Sequence, residues 1–232
     1  MAASSTSASA FASFYGDWIS RHEELLRRLD RLISPEDGFD RCRECREMIP
    51  TVMAHYRELF REKARLAAAD VFLALSPPWL SSFERALLWI SGFRPSMLFP
   101  IVEGAVAGEL SAEQRRRMAE VRAETRRREK EIGEAMARVQ ETVAEPPVCE
   151  WLRRFGKSAD GEVSEVGEAI GGLKAAMVAE VENADELRGW TAVEVVEILG
   201  PVAAVKVLAA AARFQLESRN WGMRKDSERE GI

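Results

Sequence analysis

Histidine, tyrosine and cysteine are scarce in this chain: two, two and three among 232 residues. That scarcity excludes much familiar chemistry. His22 and His55 stand in no nucleophile signature with Ser or Cys, and the sequence holds no glycine-rich phosphate loop. Cys42, Cys45 and Cys149 are too few and odd in number for a disulfide framework, and they fit a reducing compartment. The formal net charge of -5 gives no overall basic field to draw in nucleic acid. No uncharged apolar run reaches the ~20 residues of a membrane span. The longest candidate, residues 198–214, is interrupted by Pro201, Lys206 and Arg213. The Ala/Ser-rich start has neither the basic region nor the apolar stretch of a signal peptide. Strands are missing as well, since period-two alternation is never sustained over five residues.

What is present is helical. Apolar residues make up 47% and charged residues 31%, enough for a sizeable core. Residues 1–10 read as a disordered tail, residues 11–222 as one domain, and residues 223–232 as a second disordered tail. Phe14, Trp18, Leu25, Leu29 and Leu32 recur at helical spacing, and residues 34–38 stop that helix. A second helix is expected over about 40–75, kinked or restarted at Pro50. After Ser76-Pro77-Pro78-Trp79, a short and very apolar helix is expected through Ile90, followed by another over 97–106. Ser111 and Gln114 mark the start of a long charged helix ending near Glu145-Pro146-Pro147. Residues 149–163 read as a loop. Helices then follow over about 165–189, 191–199 and 201–221. The expected fold class is all-α, a single bundle of seven to eight helices.

Several patterns invite a chemical reading. Cys42-Arg43-Glu44-Cys45 is a lone C-x-x-C with arginines able to favour thiolate, but it lacks the strand–helix setting of a redox motif. No metal site is expected, because only His22 and His55 stand available to complete four zinc ligands. Arg115-Arg116-Arg117 and Arg126-Arg127-Arg128 suggest DNA, yet residues 113–145 hold nine basic and eight acidic residues. Pairs such as Glu124 with Arg128 and Arg127 with Glu131 describe a salt-bridged exposed helix over a packed seam. Direct nucleic-acid reading is therefore not expected. Trp79 and Trp89 flank the apolar stretch and serve as core around a fixed corner, or line a pocket for a flat or greasy ligand. Residues 76–96 are expected to be the keystone of the bundle: a helix apolar on nearly all sides, buried on nearly all sides, with Glu84 and Arg94 paired at its margins.

These motifs, taken together, resemble the plant delay-of-germination (DOG) domain family. Phe14 to Ile19, with Trp18, resembles its opening helix. His55-Tyr56 through Phe60 to Lys63 is similar to its HY-x-x-(Y/F)-(Y/F)-x-x-K stretch. The most specific block runs from Asp70-Val71 through Ser76-Pro77-Pro78-Trp79 and Glu84 to Leu88-Trp89-Ile90-Ser91-Gly92-Phe93-Arg94-Pro95. Residues 124–129 and 139–146, Ala184-Asp185-Glu186-Leu187-Arg188, residues 197–201 and Phe214-Gln215-Leu216 to Trp221-Gly222 resemble its later elements. The resemblance covers about residues 11–222.

The resemblance implies a non-enzymatic regulator acting through protein partners, phosphatases or transcription factors, in abscisic acid response, seed maturation, dormancy and transcription regulation. It implies a homodimer located in nucleus and cytoplasm. The same domain forms the C-terminal part of TGA bZIP transcription factors, where it is described as a dimerising bundle with a greasy ligand site. A second stand-alone branch, the inaperturate-pollen proteins, acts in pollen wall patterning. No cofactor is required; haem or a fatty acid are the candidates. Some relatives are thought to hold haem through histidines of the last helix, but here Arg213-Phe214-Gln215-Leu216 has none, which leaves His55 and His22.

Overall fold

The structure is a computed structural model and describes residues 2–34, 40–106, 108–144, 146, 149 and 160–231. The expected stop at 35–38 and most of the expected 149–163 loop lie outside the described residues. Eight α-helices are present among them, within the expected range.

Helix α1 spans Ala2–Ile33. The segment expected as a disordered tail up to Ala10 is helical: its alanines favour helix and no Gly or Pro interrupts the run. Its buried stripe is Phe11, Tyr15, Trp18, His22, Leu25 and Leu29. That alternation of four and three residues is the seam of a helix packed along its length.

Helix α2 spans Arg41–Ala69 with Pro50 inside it, and α3 spans Val71–Leu75. One helix was expected here. The break falls at Asp70, which is extended (φ -155, ψ 94) while its carboxylate accepts from the amides of Phe72 and Leu73. A carboxylate placed to satisfy free first-turn donors favours a new helix over continuation.

The block after Ser76 departs most from expectation. Helix α4 covers only Ser82–Ala86, opened by a reciprocal capping box between Ser81 and Glu84. Leu88–Trp89 (β1) then pairs antiparallel with Gly92–Phe93 (β2). The turn residues Ile90 and Ser91 have φ of 42° and 63°. Two successive positive φ values make the mirror-image turn whose twist suits a tight hairpin. The expected apolar helix through Ile90 is thus replaced by a helical turn and a hairpin. Trp79, Leu87, Leu88, Trp89 and Ile90 are half-buried instead of buried on all sides.

A 3-10 turn at Pro95–Met97 leads into α5, Leu98–Val106. Helix α6, Ala112–Glu141, opens with the expected capping box between Ser111 and Gln114. Helix α7 runs unbroken over Asp160–Ile198, where two segments divided at Gly189 were expected. A single interior glycine weakens a helix by about 1 kcal/mol without ending it, and Leu187, Thr191 and Val195 are buried on either side of it. Helix α8 spans Pro201–Glu230. It continues through the expected second tail, because after Gly222 no proline or glycine intervenes until Gly231.

Three apolar clusters hold the bundle together. One gathers Phe11, Trp18, Leu66, Val71 and Val181. A second joins α1, α2 and α8 through Leu29, Val52 and Val205. The third joins α5 to α8 through Phe99, Met118, Val195 and Ala204.

Candidate functional site

Signature residues far apart in sequence converge on the hairpin turn. Lys63 of α2 donates to Ser91 O at 2.9 Å and to Asp185 Oδ1 at 2.6 Å. Arg188, one turn after Asp185 on α7, also donates to Asp185 Oδ1 at 2.6 Å. Its guanidinium further donates to Phe93 O at 2.8 Å, to Ile90 O at 2.9 Å and to Trp89 O. Ser91 Oγ donates to Ala74 O at 2.6 Å. The turn is specified by these buried donors, which want several carbonyls converging at one point, and not by local propensity. Gly92 leaves room for the approach: a Cβ there would lie 2.8 Å from Arg188 Cζ, and the guanidinium would have to shift from the carbonyls it holds. Burial lowers the Lys63 pKa to about 8 against the attraction of Asp185, and pushes that of Arg188 down as well.

Beside this clamp lies a cavity of about 420 Å³, walled chiefly by apolar side chains including Phe60, Leu66, Trp79, Phe93, Val196 and Phe214. A few polar groups reach its wall: Tyr15, Tyr56, Lys63, Glu84, Arg188 and Gln215. Lys63 and Arg188 share Asp185, and Arg219 lies 3.4 Å from Glu84. Arg57 and Arg94 also border the cavity and are exposed, which places them at its rim. Arg94, expected in an ion pair, instead lies 5.6 Å from the centre of the Trp89 ring. Ala211 lines the cavity while Ala204, Ala209 and Ala212 are packed away, so the alanines of α8 serve both close packing and space.

A polar–aromatic stack holds α1 to α2. Trp18 is fully buried, donates from Nε1 to His55 O at 3.0 Å, and stacks on His55 and His22 at 4.3 and 4.7 Å. Tyr56 Oη donates to Gln215 Oε1 at 3.2 Å and lies 3.3 Å from His22 Nε2. His22 Nδ1 and His55 Nε2 are buried without a hydrogen-bond partner. Burial, aided for His22 by His55 and for His55 by Arg21, lowers their pKa values to about 3 and about 4. Neither histidine lines the cavity. Enclosed in this stack, the two imidazoles do not fit an axial role towards a porphyrin in the cavity.

The remaining signature positions act in shaping the backbone. Asp70 caps α3, Pro77 is buried at the corner while Pro78 is exposed, and Pro95 opens the 3-10 turn. Trp79 packs on Phe11 at 4.9 Å between ring centres. Glu84 closes the capping box.

Elsewhere the patterns resolve into surface. On α6, Arg127 pairs with both Glu124 and Glu131, whereas Arg128, expected opposite Glu124, sits 5.0 Å over the Trp190 ring. Cys42 is exposed and Cys45 buried, and burial raises the thiol pKa of Cys45, the reverse of an activated pair. Among the described residues no group of three or more His, Cys, Asp or Glu is gathered for a metal, and no helix is long and apolar enough to cross a membrane.

The family motifs contained Asp185, Arg188, Gln215 and Arg219 without indicating their contacts, the last reaching Trp79 O and Glu84, and no motif pointed to Asp226, which accepts from Ser82. Besides the motif itself, the signal for Asp185 and Arg188 is their spacing of three on either side of the buried Leu187.

Residues 24–103 match the family described as DOG1, seed dormancy control. The chain is 34% identical to Protein ZW2 of Arabidopsis thaliana over 223 residues, covering 94% of this chain and 98% of that protein. It is 35% identical to Protein RESPONSE TO ABA AND SALT 1 of the same plant over 231 residues, 97% and 98% of the two chains. It is also 31% identical to Arabidopsis transcription factor TGA1 over 219 residues, 93% of this chain but 57% of that protein. With signature residues gathered at one clamp and relatives matched nearly end to end, the chain belongs to the DOG1 seed-dormancy-control family, and within it is similar to its DOG1-like proteins and to the corresponding region of TGA factors.

Proposed function

We propose that this protein is a non-enzymatic regulator of the abscisic acid and salt response, bearing on seed maturation, dormancy and transcription. It acts as a homodimer in nucleus and cytoplasm by binding regulatory proteins, phosphatases or transcription factors. The observation behind this reading is that the signature residues build a scaffold: Lys63, Asp185 and Arg188 spend their hydrogen bonds on one another and on backbone carbonyls. Groups so committed position a surface and leave nothing free for acid–base work. The relative named for response to ABA and salt supplies the pathway. Disrupting the gene should change germination on abscisic acid and on sodium chloride. Affinity capture from maturing seed should recover phosphatase subunits or transcription factors. Unaltered germination together with no regulatory partner would overturn the reading.

A second reading is favoured by the cavity. Its apolar wall and volume suit the chain of a fatty acid, and Arg57 and Arg94 at the rim suit an anionic head group. Such a ligand would condition partner binding. Native mass spectrometry of protein from plant tissue should find a bound acyl chain. Ala211→Trp, which fills the cavity from α8, should abolish it. A ligand-free wild-type protein that also takes up no fatty acid when offered one would remove this reading.

A further inference from the structure

One wall of the cavity is built differently from the rest. Residues 77–95 contribute Trp79, Leu80, Leu88, Gly92 and Phe93 to its lining. Within that stretch the buried residues are Pro77, Ser81, Glu84, Ser91 and Pro95, while the large apolar side chains are only partly covered. None of the three apolar clusters draws a fully buried member from it. Trp79, Leu80 and Ile90 pack against the edge of the first cluster without being fully buried, and polar contacts from four helices complete the attachment. Lys63 on α2 holds Ser91 O at 2.9 Å, and the Ala74 carbonyl of α3 receives Ser91 Oγ at 2.6 Å. Arg188 on α7 holds the carbonyls of Trp89, Ile90 and Phe93. On α8, Asp226 accepts from Ser82 N at 2.7 Å and from Ser82 Oγ, and Arg219 reaches Trp79 O at 3.3 Å.

Such contacts differ from core packing in how they open. A segment released from apolar packing exposes surface to water at full cost, whereas carbonyls, carboxylates and guanidinium groups released from one another are solvated in turn. Prolines bound the segment at Pro77-Pro78 and Pro95 and donate no backbone hydrogen bond, which limits its ties to α3 and α5. Inside it, Ile90 is a β-branched residue at φ 42°, a conformation that persists only while its surroundings impose it.

We infer that residues 77–95 form a lid that opens and closes as a unit over the cavity, latched by Lys63, Asp185 and Arg188 on one side and by Arg219 and Asp226 on the other. This rests on the reading of the cavity as a ligand site. Opening the lid widens the mouth at Arg57 and Arg94 for an apolar chain, and a ligand inside holds the lid shut. The closed lid, with Phe83 packed on Trp221 at 4.6 Å, then presents a different surface from the open one.

Two measurements test this. In hydrogen exchange of the unmodified protein, amides of 77–95 should exchange as a group at least about ten-fold faster than the core amides of α2 and α8, and a dansyl-labelled fatty acid should slow them. Equal protection of lid and helices overturns the lid. In the second, Ser82→Cys and Asp226→Cys are joined by a short reversible bis-methanethiosulfonate linker in a Cys42→Ser, Cys149→Ser background. The linked form should take up the dansyl fatty acid at least about ten-fold more slowly, and reductant should restore the rate. Saturable uptake at equal rates in both forms overturns the lid and leaves the ligand site standing. No saturable uptake in either form, or in the unmodified protein, overturns both.

Discussion

Lys63 and Asp185 lie 122 residues apart and meet at 2.6 Å, with only about a tenth of either side chain exposed. The pair joins α2 to α7, and because Arg188 shares the same carboxylate oxygen, one anion serves two cations.

That sharing makes the three residues unequal. Asp185→Asn leaves two buried cations facing each other and should cost about 3–5 kcal/mol. Lys63→Met leaves the Asp185–Arg188 pair neutral and should cost distinctly less. Urea unfolding of the two variants measures the difference, and equal losses would contradict this account.

Trp18 and Trp89 separate in the same way. Trp18 has no exposed surface and stacks on two imidazoles, so Trp18→Ala should cost about 3–5 kcal/mol. Trp89 is half-buried between Arg94 and Arg188, 5.6 and 5.5 Å from its ring centre. Its replacement by Ala should cost about 1–2 kcal/mol, the order of two cation–π contacts. Thermal melts that rank Trp89 above Trp18 would restore the fully buried helix expected from sequence.

Glycines give an opposed pair. A Cβ at Gly222 would lie 2.2 Å from Ser81 Oγ and 2.7 Å from Ser81 Cβ, so Gly222→Ala must push α8 off α4 and should cost about 1–3 kcal/mol. Nothing lies within 4 Å of a Cβ at Gly171, in the interior of α7. Gly171→Ala should add about 0.5–1 kcal/mol. Denaturant midpoints that shift the same way for both would refute the close approach of α8 to α4.

The histidines set an acid limit. Their pKa values fall from 6.5 to about 3 for His22 and about 4 for His55. Between those values and 6.5 the unfolded chain binds more protons than the folded one, so stability falls as pH falls through that window. Each imidazole contributes a slope of up to about 1.4 kcal/mol per pH unit. Urea midpoints measured from pH 7 to pH 4.5 should decline, and the decline should flatten in His22→Gln/His55→Gln. An unchanged slope in that double variant would assign the acid sensitivity to carboxylates.

Regular helices were legible because their determinants are local. The capping box at Ser111 and Gln114 and the packed seam of α6 follow from side chains three or four residues apart, and so does the salt-bridged face with Arg127 between Glu124 and Glu131. The family's motifs were legible for a related reason: they are short strings whose residue types survive without knowledge of their contacts.

The stretch from Leu87 to Phe93 was illegible for the opposite reason. Read locally, Leu-Leu-Trp-Ile is an apolar helical turn, and no glycine stands at either positive-φ position. What bends it into a hairpin is a set of donors from 28 to about 100 residues away, Lys63 and Arg188, for which only clustered carbonyls supply enough acceptors. Sequence alone determined an all-α class domain of the DOG type, since period and motif are properties of neighbours along the chain. Only the tertiary structure decided where its polar residues meet, which wall of the cavity is held by them, and that His22 and His55 do not line it, because buried polar groups choose partners through space.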